Sequence, residues 1–346
     1  MTKISKSKID NQFTNKTVLI TGGTGSLGQA LTNRLLKTKV KAIRILSRNE
    51  NKQVEMASSL NDDRLRFFIG DVRDLPRLYR AFEGVDIVFH AAALKHVPVI
   101  EYNPFEGIKT NVMGSQNVID ACLYHNISKA ICIGTDKAVS PLNTYGATKL
   151  LMEKLFVSAN SFLDKTKHKT KFIAVRYGNV LGSSGSVVPI FIKKIMNKEK
   201  LLITDPNMTR FSITMNEALD FILESAYLGN GSEVFVPKIK SYSLTDLKET
   251  IKELLGNVGD KNISLRPGEK LHEVLINQDE VRYTWEYYDN YVIFTPEKDV
   301  SEIKKMYSKI KKLNISGNYS SDSVKKHNRK ELRTILLNSG LIPNKK

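Results

Sequence analysis

The sequence has few cysteines and no long apolar run, and each shortage excludes a class of protein. Two cysteines, Cys122 and Cys132, occur among 346 residues, and they do not lie at a metal-ligand spacing. We therefore expect two reduced, buried thiols, with neither a disulfide framework nor a bound metal. No run of about 18 apolar residues is present, and the first sixteen residues lack the apolar segment of a signal peptide. The sequence thus predicts a cytoplasmic protein without a membrane partner.

The excess of basic over acidic residues is small in the central part of the chain, although the net charge is +17. Residues 1–16 carry four lysines and one aspartate, and residues 301–346 carry twelve basic and three acidic residues, so the two ends supply +12 of that charge. A basic chain end is more typical of a solvated surface than of a binding groove. Since helix-turn-helix and zinc-finger spacings are also missing, we expect no nucleic-acid partner.

A strand, a glycine-rich turn and a helix follow one another near the start of the chain. The β-favouring run Thr17–Ile20 leads into glycines with G-x-G-x-x-G spacing, and the helical run Gln29–Leu36 follows. Such glycines allow a tight turn and close approach of a pyrophosphate, which the free amides of the helix N-terminus then face. The pattern predicts a dinucleotide cofactor in contact with Gly22, Gly23, Thr24, Gly25, Ser26, Leu27 and Gly28.

Short apolar runs alternate with helical stretches from residue 17 to about residue 180. This alternation predicts an α/β fold of the Rossmann type, with a doubly wound parallel sheet and helices on both faces. We expect a flexible lead-in at 1–16, a cofactor-binding domain at 17–180 and a smaller substrate-binding subdomain at 181–300, with exchange of segments between the two allowed. A basic extension with one helix at Val300–Leu313 follows at 301–346.

The residues after the second predicted strand favour NADP over NAD. An NAD site has an acidic residue about twenty positions after the glycines, but that count from Gly28 gives Arg48, with Ser47 before it and Lys52 after it. A guanidinium and a hydroxyl suit a 2′-phosphate, and an ordinary loop arginine is the alternative. Further cofactor contacts are expected at strand ends, from Asn49, Asp71, Val72, Ala91, Ala92, Lys95, Gly178, Asn179 and Val180. Beyond the strand ends, Tyr145 and Lys149 are expected to contact the cofactor as well.

Reactive side chains concentrate between Thr135 and Lys149, after another predicted strand. Tyr145 and Lys149 are four residues apart and so project from one face of a helix. An ammonium group beside a phenol lowers the pKa of that phenol, as a base near neutral pH requires. The pair in isolation would be read as a surface contact, but behind a dinucleotide motif it predicts a catalytic base.

The glycine pattern, Thr135 and Tyr145-x-x-x-Lys149 together resemble the extended short-chain dehydrogenases/reductases. Within that group, Thr135-Asp136-Lys137 resembles the inverting UDP-N-acetylglucosamine 4,6-dehydratases of the pseudaminic acid pathway, whereas retaining dehydratases typically carry Thr-Asp-Glu. The likeness covers residues 17 to about 295, with a fainter match at Tyr319–Asp322. Other strings that match are Ala91–Pro98, Arg176–Val180, Met208–Phe211 and Arg266–Glu273.

The resemblance implies a redox-neutral dehydration of UDP-N-acetylglucosamine. Tyr145 takes the C4 hydroxyl proton as hydride passes from C4 to NADP. Lys137, whose pKa we expect partial burial to lower, then removes the C5 proton. Protonated Asp136 donates its proton to the leaving C6 hydroxyl. Hydride then returns to C6 and a proton to the opposite face of C5. The product is UDP-2-acetamido-2,6-dideoxy-β-L-arabino-hex-4-ulose. The implied catalytic residues are Thr135, Asp136, Lys137, Tyr145 and Lys149.

The resemblance also implies substrate contacts and a homo-oligomer, either a dimer or a hexamer. Arg210 and Arg266 suit the diphosphate because a guanidinium binds it bidentately, and Glu269 suits a ribose hydroxyl. The full set of implied substrate contacts is Lys95, His96, Tyr177, Asn179, Gly185, Arg210, Arg266 and Glu269.

Three other functions stay open at this point. The nearest is the capsule-pathway dehydratase that also epimerises C5, although members of that group often carry methionine where this chain has Tyr145. A UDP-sugar 4-epimerase is the second, but C4 epimerisation has no use for the Asp136-Lys137 pair. A non-catalytic NADP-binding sensor on the same fold is the third.

Overall fold

A ten-stranded sheet forms the centre of the fold. The structure, a computed structural model, describes residues 4–164, 166–183, 186–265 and 268–342. Over these ranges the strands are β1 (Thr17–Thr21), β2 (Ala42–Ser47), β3 (Leu65–Ile69), β4 (Ile87–His90), β5 (Lys129–Ile133), β6 (Lys171–Val175), β7 (Asn179–Val180), β8 (Leu201–Ile203), β9 (Thr209–Ile213), β10 (Val234–Pro237), β11 (Ser241–Ser243), β12 (Asp260–Asn262), β13 (Val274–Ile276), β14 (Thr284–Tyr287), β15 (Asn290–Ile293), β16 (Lys311–Lys312) and β17 (Tyr319–Ser320).

Helices connect most of these strands. They are α1 (Lys6–Asn11), α2 (Ser26–Leu35), α3 (Glu50–Leu60), α4 (Leu75–Phe82), α5 (Val97–Tyr102), α6 (Pro104–Gly107), α7 (Gly114–Tyr124), α8 (Thr144–Ala159), α9 (Val187–Met196), α10 (Met215–Leu228), α11 (Leu244–Leu255), α12 (Gln278–Val281), α13 (Val300–Met306) and α14 (Arg329–Asn338). A π-helical segment, Ile108–Met113, leads into α7, and a 3-10 turn, Asp136–Ala138, follows β5. In the described ranges no helix is both long and apolar enough to cross a bilayer.

The order of strands in the large sheet is β16-β14-β15-β10-β6-β5-β4-β1-β2-β3. Neighbours from β10 to β3 pair in parallel, whereas β15, β14 and β16 add an antiparallel edge. The parallel part contains the order 3-2-1-4-5-6 of a doubly wound sheet, which confirms the predicted fold class. That order reverses between β1 and β4, so a crevice opens beyond their carboxyl ends.

Alternating side chains of the strands are buried on both faces of the sheet. On β1, Val18 and Ile20 join one core with Leu31 of α2, while Leu19 joins a second core with Leu78 of α4. Residues of α10 complete the first core, and residues of α7 and α8 complete the second. The sheet therefore lies between two layers of helices.

A smaller lobe with its own core follows β6. Side chains from α9, α11 and α14 pack with β8 and the buried Tyr242 of β11 in a third apolar cluster. Strands β10, β14 and β15 come from the predicted 181–300 subdomain, yet they extend the large sheet. The chain therefore passes between the two parts more than once.

Both chain ends differ from the predicted solvated extensions. Instead of a flexible lead-in, residues 6–11 form α1, and Ile9 and Phe13, one helical turn apart, are buried in the core beside the large sheet. The predicted helix Val300–Leu313 stops at Met306. Farther on, α14 buries Leu332 and Leu336 against the small lobe. A few well-spaced apolar residues thus order segments whose overall composition is polar and basic.

One buried carboxyl group makes the stability of this fold sensitive to pH. Glu233, just before β10, is fully buried and accepts hydrogen bonds from the Tyr307 hydroxyl (2.7 Å) and from the backbone N–H of Gly231 (2.7 Å). Burial penalises its charged form more than these donors stabilise it, which raises the pKa of Glu233 to about 7.

We predict that Glu233 stabilises the fold at acidic pH and that this contribution disappears as the pH rises through about 7. In the unfolded chain the carboxyl titrates near its ordinary pKa of 4.5, so the folded state holds the proton more tightly. The loss between pH 4.5 and 8 amounts to about 3 kcal/mol, at about 1.4 kcal/mol per pKa unit. Urea unfolding of the wild type and of Glu233→Gln at pH 5 and pH 8 measures this contribution of Glu233 to the free energy of unfolding, because the two proteins share all other titrating groups. The stability of the variant relative to wild type should rise with pH; a constant difference would contradict the prediction.

Candidate functional site

A cleft of about 910 Å³ lies at the carboxyl ends of β1 and β4, where the strand order reverses. Of the residues predicted to contact the cofactor, all but Gly23 line it. Gly23 lies behind the turn, where an added Cβ would be 2.7 Å from the side chain of Ile45. The predicted cofactor contacts along the cleft are Gly22, Thr24, Gly25, Ser26, Leu27, Gly28, Ser47, Arg48, Asn49, Lys52, Asp71, Val72, Ala91, Ala92, Lys95, Tyr145, Lys149, Gly178, Asn179 and Val180.

Two glycines bring the turn close enough to its neighbours to form the floor of this cleft. Gly22 has a φ of +67°, and a Cβ there would be 2.8 Å from the backbone of Ala92. A Cβ on Gly28 would be 2.5 Å from the backbone of Gly23, so α2 packs directly on the turn. The N-cap of α2 is Gly25, whose lack of a side chain leaves the first amides of the helix uncapped. This arrangement fits the phosphates of a dinucleotide.

At one end of the cleft, basic side chains follow β2. Ser47, Arg48 and Lys52 all line the cleft, and the Arg48 guanidinium lies 3.7 Å from the carboxylate of Asp71. Burial alone would raise the pKa of Asp71, but its hydrogen bonds with Arg73 lower it overall, so Asp71 is ionised. This end of the cleft combines the cations of Arg48 and Lys52 with two carboxylates, the paired one of Asp71 and that of Glu55.

The predicted catalytic residues meet at the other end of the cleft. The 3-10 turn after β5 holds Thr135, Asp136 and Lys137 together, because the Thr135 hydroxyl donates to Asp136 Oδ1 (2.9 Å) and accepts from the Lys137 amide (3.4 Å). Tyr145 and Lys149 on α8 line the cleft beside Thr135 and Lys137. Asp136 is fully buried behind them.

Lys149 does not lower the pKa of Tyr145 as the sequence predicts. Its ammonium group donates to the Ile133 carbonyl (2.7 Å) and contacts the sulfur of Met152 (3.0 Å). Burial raises the pKa of Tyr145, against the opposing effects of the Lys137 charge and of a hydrogen bond with Thr135. Burial also lowers the pKa of Lys149 itself. The protein alone therefore holds Tyr145 as a neutral phenol.

The prediction of a lowered pKa for Lys137 is also wrong. Burial disfavours the ammonium form, but the charges of Asp136 and Glu273 more than compensate, so the pKa of Lys137 is raised above its ordinary value. Lys137 Nζ lies 3.1 Å from Asp136 Oδ1, 3.4 Å from Glu273 Oε1 and 3.2 Å from Asn179 Oδ1. The sequence-based argument considered burial without the two carboxylates.

Glu273 is the most important residue of the site that sequence reasoning did not assign. It is buried, 136 positions from Lys137 in the chain, and its carboxylate also lies 3.7 Å from Arg210 Nε. The neighbouring chain segment is docked on the loop after β5, because the Asn143 amide donates to the Gly268 carbonyl and Lys270 bonds to the Val139 carbonyl. The string Arg266–Glu273 pointed to this region without indicating which carboxylate approaches Lys137.

The predicted substrate contacts fall into three groups. Lys95, His96, Tyr177 and Asn179 line the cleft. Arg210 and Glu269 lie 3.6 Å apart in the charge cluster beyond Lys137, and neither is among the described residues that line the cleft. Gly185 and Arg266 lie outside the described residues.

Asn111, in the π-helical segment, is a positioning residue that sequence reasoning also missed. Its buried side-chain amide exchanges hydrogen bonds with the backbone of Leu94 (2.8 and 3.0 Å) and donates to the hydroxyl of Thr148 on α8 (3.0 Å). It thereby fixes the segment that carries Lys95 against the helix that carries Tyr145. Nothing in the sequence pattern distinguishes this asparagine from others on the predicted helix.

Within the described ranges, neither His90 nor a cluster of acidic residues forms a second metal-binding or acid-base centre. His90 is buried between Thr21 (2.7 Å) and Ser115 (3.0 Å), and burial lowers its pKa to about 3, so it is a neutral packed residue. Within the part of the chain that the structure describes, no group of three His, Cys, Asp or Glu residues is arranged to hold a metal ion.

The doubly wound sheet, the glycine turn under the cleft and the Tyr145–Lys149 pair on the helix after β5 define a Rossmann-type enzyme of the short-chain dehydrogenase/reductase class. A family model described as "Polysaccharide biosynthesis protein" matches residues 18–295. The chain belongs to this polysaccharide biosynthesis protein family.

Individual relatives agree with this assignment. UDP-N-acetylglucosamine 4,6-dehydratase (inverting) of Campylobacter jejuni is 47% identical over 318 residues, which cover 90% of this chain and 94% of that protein. UDP-glucose 4-epimerase of Rickettsia felis is 39% identical, with 94% and 96% covered. The X-ray structure of Pen from Bacillus thuringiensis superposes with a TM-score of 0.88 at 38% identity and covers 96% of this chain and 99% of Pen.

Proposed function

We propose that this enzyme catalyses the inverting 4,6-dehydration of UDP-N-acetylglucosamine with a nicotinamide cofactor in the cleft. The observation that carries the proposal is the ion pair of buried Asp136 and half-buried Lys137 next to Tyr145, since a reaction that only inverts C4 needs no second acid and base. The identity to the C. jejuni dehydratase supports it. We place the reaction in the cytoplasm, as the first step of pseudaminic acid-type sugar synthesis.

A bound nicotinamide would supply a hydride acceptor at C4 of the sugar and a hydride donor at C6. Tyr145 lines the cleft together with Thr135 and Lys137 and would take the C4 hydroxyl proton. Lys137 would remove the C5 proton, which the 4-ketone acidifies. Burial raises the pKa of Asp136, so Asp136 can hold a proton for the departing C6 hydroxyl. Lys149 lines the same wall of the cleft and would orient the cofactor.

We expect wild-type protein in deuterated water to convert UDP-N-acetylglucosamine into a product with a C6 methyl group and deuterium at C5. Proton NMR would show the methyl signal and the couplings of the L-arabino sugar. Tyr145→Phe and Lys137→Met should each slow its appearance by at least about 100-fold, because each removes a proton-transferring group.

The matched controls are Tyr124→Phe and Lys238→Met, which alter an exposed tyrosine and an exposed lysine elsewhere and should leave the rate unchanged. A product epimerised at C4 that keeps its C6 hydroxyl would contradict the proposal in favour of a 4-epimerase. Further epimers formed after the methyl product would indicate the capsule-pathway reaction instead.

We further propose that the cofactor is NADP. The basic side chains at the end of the cleft after β2 support this, since Arg48 and Lys52 line the place where a 2′-phosphate would lie. A carboxylate that accepted the 2′-hydroxyl of NAD would lie at the end of β2, and that position holds Ser47 and Arg48.

Arg48→Ser should weaken NADP binding by about 10- to 100-fold, the size of a lost charge-assisted hydrogen bond. NAD binding should change little, because NAD lacks the 2′-phosphate. Titration calorimetry on cofactor-stripped protein measures both affinities, with Arg333→Ser on the exposed face of α14 as the control. Wild-type protein that binds NAD more tightly than NADP would refute this assignment.

We also propose that the protein is a homo-oligomer, a dimer or a hexamer. Large apolar side chains are exposed on the neighbouring elements α5, α6, the π-helical segment and α8, which is more than a monomer usually presents on one side. These side chains are Val99, Tyr102, Phe105, Ile108, Met113 and Leu151.

The double variant Tyr102→Glu/Phe105→Glu should sediment as a monomer, since two charges would have to be desolvated in the subunit contact. Analytical ultracentrifugation distinguishes the states directly. Phe162→Glu changes a phenylalanine of similar exposure outside this surface and should keep the wild-type mass. A wild-type protein that sediments as a monomer at every concentration would show the proposal to be wrong.

A further inference from the structure

Glu273 lies where it can control the protonation of Lys137. Its side chain is buried, with Oε1 at 3.4 Å from Lys137 Nζ and 3.7 Å from Arg210 Nε. Its backbone is held on both sides, since the amide donates to the Ser321 hydroxyl (2.9 Å) and the carbonyl accepts from the Ser321 amide (2.8 Å). The carboxylate is thus directed at Lys137 by fixed backbone contacts.

Lys137 cannot act as a base while it keeps its proton. The charge of Glu273, together with that of Asp136 when Asp136 is ionised, stabilises its ammonium form, so a neutral amine arises when a neighbouring group takes up the proton. The dehydration proposed above therefore requires a proton acceptor next to Lys137 in addition to the lysine itself.

Asp136 is unsuited to that task. Its Oδ1 already accepts hydrogen bonds from Thr135 (2.9 Å) and Lys137 (3.1 Å), which leaves Oδ2, buried and without a hydrogen-bond partner among the described residues, as its one site for a proton. In the proposed reaction it must also hold the proton that the leaving C6 hydroxyl receives, so it cannot take another from Lys137. Burial favours this protonated form of Asp136, whereas the cations around Glu273 keep Glu273 ionised.

Glu273 has one oxygen available for a proton. Oε2 is buried and accepts no hydrogen bond from the described residues, so it is the oxygen on which a proton can be placed. The titratable and charged groups that interact with Glu273 are Lys137, Arg210, Lys270, Asp136 and Tyr242. Those that interact with Lys137 are Asp136, Glu273, Arg210, Lys270, Tyr145 and Tyr242.

We propose that Glu273 is the positioning residue that takes the proton of Lys137 and so makes this lysine the C5 base, an inference that rests on the proposed dehydration. One N–H bond of the ammonium breaks as an O–H bond forms on Glu273. The free amine then takes the C5 proton, and the electron pair of the C–H bond moves into the 4-ketone as an enolate. The enolate replaces the lost carboxylate charge, so the net charge of the cluster is unchanged and an ammonium group again faces the negative oxygen.

The test compares the two halves of the reaction in Glu273→Gln, which keeps the size of the side chain but cannot take up the proton. C4 oxidation depends on Tyr145, so reduced cofactor absorbing at 340 nm should accumulate when UDP-N-acetylglucosamine is added. At pH 7, where Lys137 of the variant is expected to keep its proton, deuterium uptake at C5 and methyl formation should fall by about 100-fold or more, and the defect should shrink as the pH rises and the free amine forms. Glu273→Asp should restore part of the deuterium uptake and part of the methyl formation. The control Glu286→Gln, at a side chain that is 40% exposed, should behave as wild type.

A second measurement does not depend on turnover. Acetylation of Lys137, mapped by mass spectrometry without substrate, reports the fraction of free amine at each pH. In Glu273→Gln the half-maximal reactivity of Lys137 should move to lower pH by one unit or more, because a stabilising negative charge is gone.

Each outcome has a definite meaning. Unchanged C5 exchange in Glu273→Gln, or loss of both halves of the reaction together with a lower Tm, would overturn the role of Glu273. An unshifted reactivity profile of Lys137 would do the same. Wild-type protein that forms no methyl product would instead refute the proposed dehydration, while a shifted acetylation profile would still establish the Lys137–Glu273 coupling.

Discussion

The site depends on one buried arginine that joins the two parts of the molecule. Arg176, at the end of β6, is 1% exposed. Its guanidinium bonds to both carboxylate oxygens of Glu153 (2.5 and 3.0 Å) and to both of Glu280 (2.9 Å each). It also donates to the Leu275 carbonyl (2.8 Å). Removal of one partner would leave uncompensated buried charge, at a cost of about 3–5 kcal/mol. The three side chains therefore hold their elements together as a unit.

Each element that this cluster fixes carries a piece of the site. Glu153 belongs to α8, which presents Tyr145 and Lys149 to the cleft, whereas Leu275 and Glu280 come shortly after Glu273. One guanidinium thus sets the distance between the helix with the C4 base and the strand that brings a carboxylate to Lys137. Such rigidity matters because proton transfer requires heavy atoms within hydrogen-bond reach. A buried ion cluster seldom adds much net stability, but here it specifies geometry.

The parts of the site whose geometry depends only on residues close together in the chain could be predicted from the sequence. The phosphate-binding turn at Gly22 and Gly28 is predictable because the steric constraints on these glycines act within one strand-turn-helix unit. The placement of Tyr145 and Lys149 on one face is predictable because a four-residue spacing has this effect along any helix. The alternation of apolar runs likewise predicts the parallel sheet. Glu273 was beyond such reasoning, since its approach to Lys137 depends on how a segment 136 positions later docks on the loop after β5. The wrong sign for the pKa of Lys137 follows from that omission: burial is visible in an apolar context, but a distant countercharge is not.

The same dependence on long-range contacts explains why the ends of the chain look dispensable in the sequence and are integrated in the structure. Ser321 lies in the basic extension, yet its hydroxyl and amide hold the backbone of Glu273, and the hydroxyl also bonds to Thr209 (2.7 Å) beside Arg210. The Tyr319 hydroxyl bonds to the backbone of Ile239 beyond β10. The C-terminal segment is therefore a support for the charge cluster around Lys137, and its lysines occupy the solvent side of a structural element. The composition predicted the basic charge of this segment, but uncharged residues such as Tyr319 and Ser321 make the contacts that support the charge cluster.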